Sequence, residues 1–134
     1  MHRYCVETSV IIAYLRGKAE VVELVNNLDG EVVSSFVCLS ELFEGIYRVK
    51  EREQAREQVL KFFIGLSQMY GLDQEISEQF GKLRAMLKEK GNVIEDMDLL
   101  IAATCTAYDL VLVTLNTKHF QRVPNIKLYG GAGI

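Results

Sequence analysis

The chain has 134 residues, 49% of them hydrophobic and 25% charged, with a formal net charge of −3. That length and mix fit one soluble domain with its own core, and the acidic total argues against a broadly basic nucleic-acid surface without excluding a local basic rim. No apolar run approaches the ~20 residues of a membrane span, and the N-terminus has neither an apolar h-region nor a small-residue cleavage site, so neither an anchor nor a signal peptide is expected.

Arg3 to Val6 reads as a short buried strand. Glu7-Thr8-Ser9 follows, and Thr8 or Ser9 is expected to cap a helix carrying Val10, Ile11, Ala13, Tyr14 and Leu15 and ended by Gly17. Ala19 to Leu28 reads as a second helix, stopped by the turn signal Asp29-Gly30. Glu31 to Phe36 is the second strand, and Leu39 to Val49 a helix with Leu39, Leu42, Phe43 and Ile46 inward. Lys50 to Ile64 reads as a helix with a solvated first half; core burial is expected for Phe62, Phe63 and Ile64 over an interface role. Met69 to Leu72 reads as a brief strand, and Glu75 to Lys90 as an amphipathic helix ended by Gly91.

A helix from about Met97 to Ala107 follows, and Leu110 to Thr114 is the most strand-like segment. Asn116 to Phe120 is a loop or a single turn, Ile126 to Tyr129 a last edge strand, and 129–134 a flexible glycine-rich tail. Short apolar strands alternating with helices imply a parallel sheet of four to five strands covered on both faces, a three-layer α/β/α domain over 1–134. Cys5, Cys38 and Cys105 are widely spaced in apolar stretches and read as buried free thiols in a reducing compartment.

In open α/β sheets ligands bind at the carboxyl ends of the strands. Glu7 follows strand one, Thr114 and Asn116 end the Leu110 strand, and Glu41 and Asp98 lie near the N-termini of helices that return to that edge. Asp98 heads a face continued by Ile101, Ala102 and Cys105, so its charge needs a partner. Asp96 is expected to be the N-cap of that helix, since two residues' separation points it elsewhere. The acids Glu7, Glu41 and Asp98 suit a hard divalent cation such as Mg²⁺ or Mn²⁺. His2 is expected to be structural or disordered; His119, Arg16, Lys118 and Arg122 are expected at the surface, the three basic residues as possible phosphate or partner contacts.

Four stretches carry a resemblance. Glu7-Thr8-Ser9 with its helix ending Arg16-Gly17, Ser40-Glu41-Leu42-Phe43-Glu44-Gly45, Asp96-Met97-Asp98-Leu99-Leu100-Ile101-Ala102-Ala103, and Leu112-Val113-Thr114-Leu115-Asn116-Thr117-Lys118-His119-Phe120 followed by Val123-Pro124 occur in the order and spacing of the PIN-domain ribonucleases. The chain most closely resembles the VapC-type toxins of prokaryotic toxin–antitoxin pairs. The resemblance implies a single PIN domain, a Mg²⁺/Mn²⁺-dependent endoribonuclease in the cytoplasm, a homodimer, RNA as substrate and inhibition by a small cognate antitoxin. It implies Glu7 and Asp98 as metal ligands, Glu41 as a ligand directly or through water, Asp96 as a second-layer acid, and Asn116 with Thr114 at the place of a further polar group.

The family's first acid is normally Asp; here it is Glu7, longer by about 1.5 Å. Glu7→Asp is therefore expected to keep or raise cleavage. The alternative function is a PIN-fold binding module whose altered site cuts weakly or not at all. A metal-dependent phosphatase is a third class, but it would need a nucleophilic Asp beside a second acid.

Overall fold

The apolar β-branched runs form the strands, as period and burial dictate. The computed structural model describes residues 2–130. Its strands are β1 (His2–Val6), β2 (Gly30–Ser35), β3 (Gln68–Tyr70) and β4 (Val111–Val113), all parallel in the order β3-β2-β1-β4. Cys5, Val6, Val33 and Leu112 are wholly excluded from solvent, as expected of a sheet covered on both faces. The helices are α1 (Thr8–Leu15), α2 (Ala19–Asn26), α3 (Phe36–Tyr47), α4 (Arg52–Ile64), α5 (Gln74–Glu89), α6 (Asp96–Tyr108) and the single turn α7 (Thr117–Phe120). Among the described residues, no helix is long and apolar enough to cross a membrane.

The chain steps outward from β1 to β2 to β3, then returns to lay β4 on the other side of β1. The order therefore reverses at β1, which opens a crevice between the carboxyl ends of β1 and β4. Gly30 starts β2 because nothing larger fits: a Cβ there would lie 2.2 Å from the His2 carbonyl oxygen. Gly17 sits at φ +75° just past α1, as the expected helix stop.

Several boundaries differ from expectation. Helix α3 starts at Phe36, earlier than Leu39, because the Ser35 hydroxyl accepts the Cys38 N–H at 3.3 Å and caps it. Neither Thr8 nor Ser9 caps α1; Glu7 holds the N-cap position without a side-chain cap bond, and both hydroxyls are used elsewhere. Asp96 is the first residue of α6, with Glu95 at its N-cap, so the expected cap role fails. Phe63 is buried and Phe62 partly so, but Ile64 is 85% exposed and does not join the core as expected. The last edge strand shrinks to one parallel bridge, Leu112 with Leu128, closed by Tyr129 N–H donating to the Leu112 carbonyl at 2.9 Å. That bond and the Tyr4–Tyr129 ring contact tie residue 129 to the sheet; the remainder of the expected tail, from 131 on, lies outside the described residues. His2 opens β1 with its ring beside Tyr4. The three cysteines are free and buried, and burial pushes the Cys38 thiol up to about 12.

Candidate active site

Glu7 is the hinge between sheet and helix. Its N–H donates to the Val113 carbonyl at 3.0 Å, and its own carbonyl accepts from Val10 and Ile11 at the start of α1. This stitches β1, β4 and α1 together at one residue and leaves its side chain only 7% exposed. A charge so placed needs donors. Two hydroxyls supply them: Ser9 Oγ donates to Glu7 Oε1 at 2.5 Å, and Thr114 Oγ1 donates to the same oxygen at 2.6 Å. Each hydroxyl is itself oriented from behind, since Leu115 N–H donates to Ser9 Oγ and Asn116 N–H to Thr114 Oγ1, both at 3.0 Å. With one proton apiece, both hydroxyls are committed to the glutamate. Among the described residues, no hydrogen bond reaches Oε2.

Glu41 lies in the second turn of α3, where Thr8 Oγ1 donates to its Oε1 at 2.6 Å. Partial burial pushes its carboxyl above the ordinary range. The Thr8 bond works against that shift, while the charges of Asp98 and Glu7 add to it. Three carboxylates from three separate elements thus feel one another at the crevice.

Asp98 lies in the first turn of α6, a favourable place for an anion. Its Oδ2 stands 2.8 Å from Nε2 of His119, with both side chains about a fifth exposed. His119 is therefore not the plain surface residue expected; Arg122, also expected to be solvated, contacts its other ring nitrogen at 2.7 Å. The only sequence signal was position: a histidine just before a core phenylalanine, with an arginine one helical turn on.

The remaining candidates separate. Thr114 is in the site through its hydroxyl. Asn116 is the N-cap of α7 and takes part through its backbone, with no side-chain cap bond. Asp96 turns to α5, where Arg84 Nη2 donates to it at 2.6 Å while holding the Ile94 carbonyl through Nη1. Arg16 and Lys118 are exposed. Arg16 and Glu41 border a groove of about 230 Å³ whose apolar lining includes Ile12, Leu15, Ile46 and Val59.

A description of the PIN domain matches residues 4–126. The chain belongs to the PIN-domain family. Among its relatives, ribonuclease VapC1 of Methanocaldococcus jannaschii is 35% identical over 126 residues, covering 92% of this chain and 85% of that protein. Ribonuclease VapC of Rickettsia bellii is 36% identical, covering 92% of each. Two solved PIN-domain structures superpose closely. The DNA-bound VapBC of Salmonella typhimurium gives a TM-score of 0.88 at 26% identity, over 96% of this chain and 97% of that one. VapBC2 of Rickettsia felis, bound to a promoter DNA fragment, gives 0.86 at 28%, over 94% and 96%. The single PIN domain expected from the four motifs is thus present, with a four-stranded sheet.

Proposed function

We propose that this PIN-domain chain is the endoribonuclease toxin of a VapBC-type toxin–antitoxin pair, hydrolysing RNA phosphodiester bonds in the cytoplasm with Mg²⁺ or Mn²⁺. One observation carries the reading. At the carboxyl ends of β1 and β4, where an α/β sheet binds its ligand, Glu41 is half-buried and raised first by that burial and then by the charges of Asp98 and Glu7 beside it. Acids crowded together at a crevice mark a functional site more often than a structural one.

The donor set fits the metal in kind. All three groups are carboxylates, the oxygen ligands that Mg²⁺ and Mn²⁺ prefer. As placed, no three His, Cys, Asp or Glu side chains among the described residues converge tightly enough to grip one ion. Mg²⁺ retains several waters, so direct ligation by Glu7 and Asp98 with Glu41 acting through water needs no tight cage. A bound ion would supply positive charge against the phosphodiester's developing negative charge. The chain's own residues do the rest. Ser9 and Thr114 orient Glu7, and Thr8 aims Glu41. Glu41, raised by burial and by its acidic neighbours, is the acid best suited to take a proton from an attacking water.

The binding-module alternative is not favoured. Glu7 is seated by two hydroxyls rather than stranded, and the relatives above are named as ribonucleases. For the antitoxin, the apolar groove leading to Arg16 and Glu41 offers a seat for a short amphipathic segment that would cover the site. A homodimer is part of the proposal, to be read by sedimentation. The test is growth arrest on expression, relieved by the neighbouring open reading frame, together with RNA cleavage that requires a divalent metal. Tolerance of high expression together with intact RNA under every divalent metal would overturn the reading.

A further inference from the structure

The Asp98–His119–Arg122 chain has a polarity that can be read from donor chemistry. Arg122 Nη2 lies 2.7 Å from His119 Nδ1, and a guanidinium only donates. Nδ1 must therefore be the bare, accepting nitrogen. The ring proton then sits on Nε2 and is donated to Asp98 Oδ2 at 2.8 Å. The arginine selects the tautomer, and the tautomer delivers a donor to the acid.

The chain is also mechanically fixed. His119 belongs to α7, and Arg122 follows one turn later, with its Nε donating to the His119 carbonyl at 3.3 Å. Phe120 and Val123, 1% and 2% exposed, anchor the same segment in the core. The Phe120 ring meets the imidazole edge-on with centroids 5.5 Å apart.

We propose that His119 and Arg122 are positioning residues for Asp98. The neutral imidazole occupies Oδ2 and leaves Oδ1 for the metal, while keeping the arginine's charge one ring away from the carboxylate. Direct pairing of Arg122 with Asp98 would orient the acid too, but it would offset the negative charge that attracts a cation. An interposed neutral ring gives orientation without that competition. Such outer partners of metal ligands typically alter affinity 10- to 100-fold. The inference rests on the metal-dependent reading above.

The test is Mn²⁺ binding to the full chain without RNA, followed by the electron paramagnetic resonance of free Mn²⁺, with thermal melts to confirm folding. His119→Ala should weaken binding about 10- to 100-fold. His119→Gln, whose amide can donate to the same oxygen, should recover most of that loss, and Arg122→Leu should cost less than His119→Ala. Native-like Mn²⁺ affinity in folded His119→Ala would overturn the proposal. Nitrogen-15 NMR of the imidazole at pH 8, without metal, reads the relay separately. The Nε2–H tautomer is expected in the native chain and a mixture in Arg122→Leu; an Nδ1–H tautomer in the native chain would sink it. If the native chain binds no Mn²⁺ while the Nε2–H tautomer is found, the metal reading fails and with it the proposed role towards the metal, and the relay is left as a fixed structural contact.

Discussion

The two ends of the sheet treat acidic residues in opposite ways. At the amino end, Asp29, which precedes β2, accepts from the Tyr4 hydroxyl at 2.5 Å, and Asp109, which precedes β4, accepts from Lys127 at 2.5 Å. Asp73 caps α5 and accepts from Tyr108, at the end of α6 remote from Asp98, and from the Ile76 N–H. Each carboxyl is held below its ordinary range, first by that side-chain hydrogen bond. At the carboxyl end, Glu41 is pushed upward by burial and by two acidic neighbours. At one end each acid stands apart with its own donors; at the other, acids that also have donors crowd one another. The first arrangement serves stability. The second costs stability and leaves negative charge available to a cation.

The largest expected effects break the crowded end. Asp98→Asn removes a charge from the site and should lower RNA cleavage by ~10²-fold or more, since metal-borne charge stabilisation is worth several kcal/mol. Glu41→Gln should lose cleavage on a similar scale while raising the melting temperature at pH 7. The sign follows from linkage. Glu41's folded pKa lies above its ordinary value of 4.5, so ionising it costs folding free energy. Native stability therefore falls as pH rises from that value through the raised one, and Glu41→Gln should flatten the fall. Saturating Mg²⁺ should raise the native melting temperature as well, because it binds only the folded chain. Equal melting temperatures for native and Glu41→Gln would deny that the site is under electrostatic strain.

Glu7→Asp comes next, and here the geometry around Glu7 argues for a different outcome from the one the motifs suggest. The cradle of Ser9 and Thr114 meets a carboxylate at glutamate length. Aspartate would retract it by about 1.5 Å and lose at least one of two charge-assisted bonds, each worth ~1.5–3 kcal/mol. Cleavage should fall roughly tenfold, with Ser9→Ala and Thr114→Val each giving a similar loss in the native background. If Glu7→Asp matches or exceeds native activity, the cradle is not what seats the first acid.

The donor-rich end predicts a smaller effect, in stability alone. The Tyr108 hydroxyl is pushed up to about 12 by Asp73, as Tyr4 is by Asp29. A raised tyrosine favours the folded state below its unfolded pKa, near 10, and that contribution disappears as pH climbs through the folded value. Native melting temperature should drop between pH 10 and 12, and Tyr108→Phe should remove part of the drop without altering cleavage. An unchanged alkaline profile would show that the tyrosine–aspartate pair at this end contributes nothing to folding.

The fold was legible because strand and helix periods differ, the strands are short apolar runs set off by Gly30 and the acidic turns, and Gly17 and Gly91 stop helices. The three carboxylates were legible because parallel topology sends every strand's carboxyl end, and every returning helix's start, to one edge. What escaped were the residues that orient them. The hydroxyls of Thr8 and Ser9 read as local caps, since Ser and Thr before a helix usually act that way. Both instead make long-range bonds, Thr8 to Glu41 and Ser9 to Leu115. His119 and Asp98 are 21 residues apart, and only the tertiary fold brings them together. Ile64 was misplaced because an apolar run of three on a helix has no single face.

The smallest effect sharpens the comparison within α6 itself, whose first turn holds an acid of each kind. Asp98 stands among the crowded acids, whereas Asp96 resembles the paired acids at the opposite end. Its carboxylate takes one bond from Arg84, and that arginine also fixes the Ile94 carbonyl ahead of the helix. The Asp96 side chain is 80% exposed, so the pair is worth ~0–1 kcal/mol by the usual scale for surface ion pairs. Asp96→Asn should leave RNA cleavage within about twofold of native, and cost at most ~1 kcal/mol in urea unfolding. Arg84→Ala should cost somewhat more, because it also removes the donor to Ile94. A tenfold fall in cleavage for Asp96→Asn, with stability intact, would return Asp96 to the metal site's outer layer and make the pairing with Arg84 incidental.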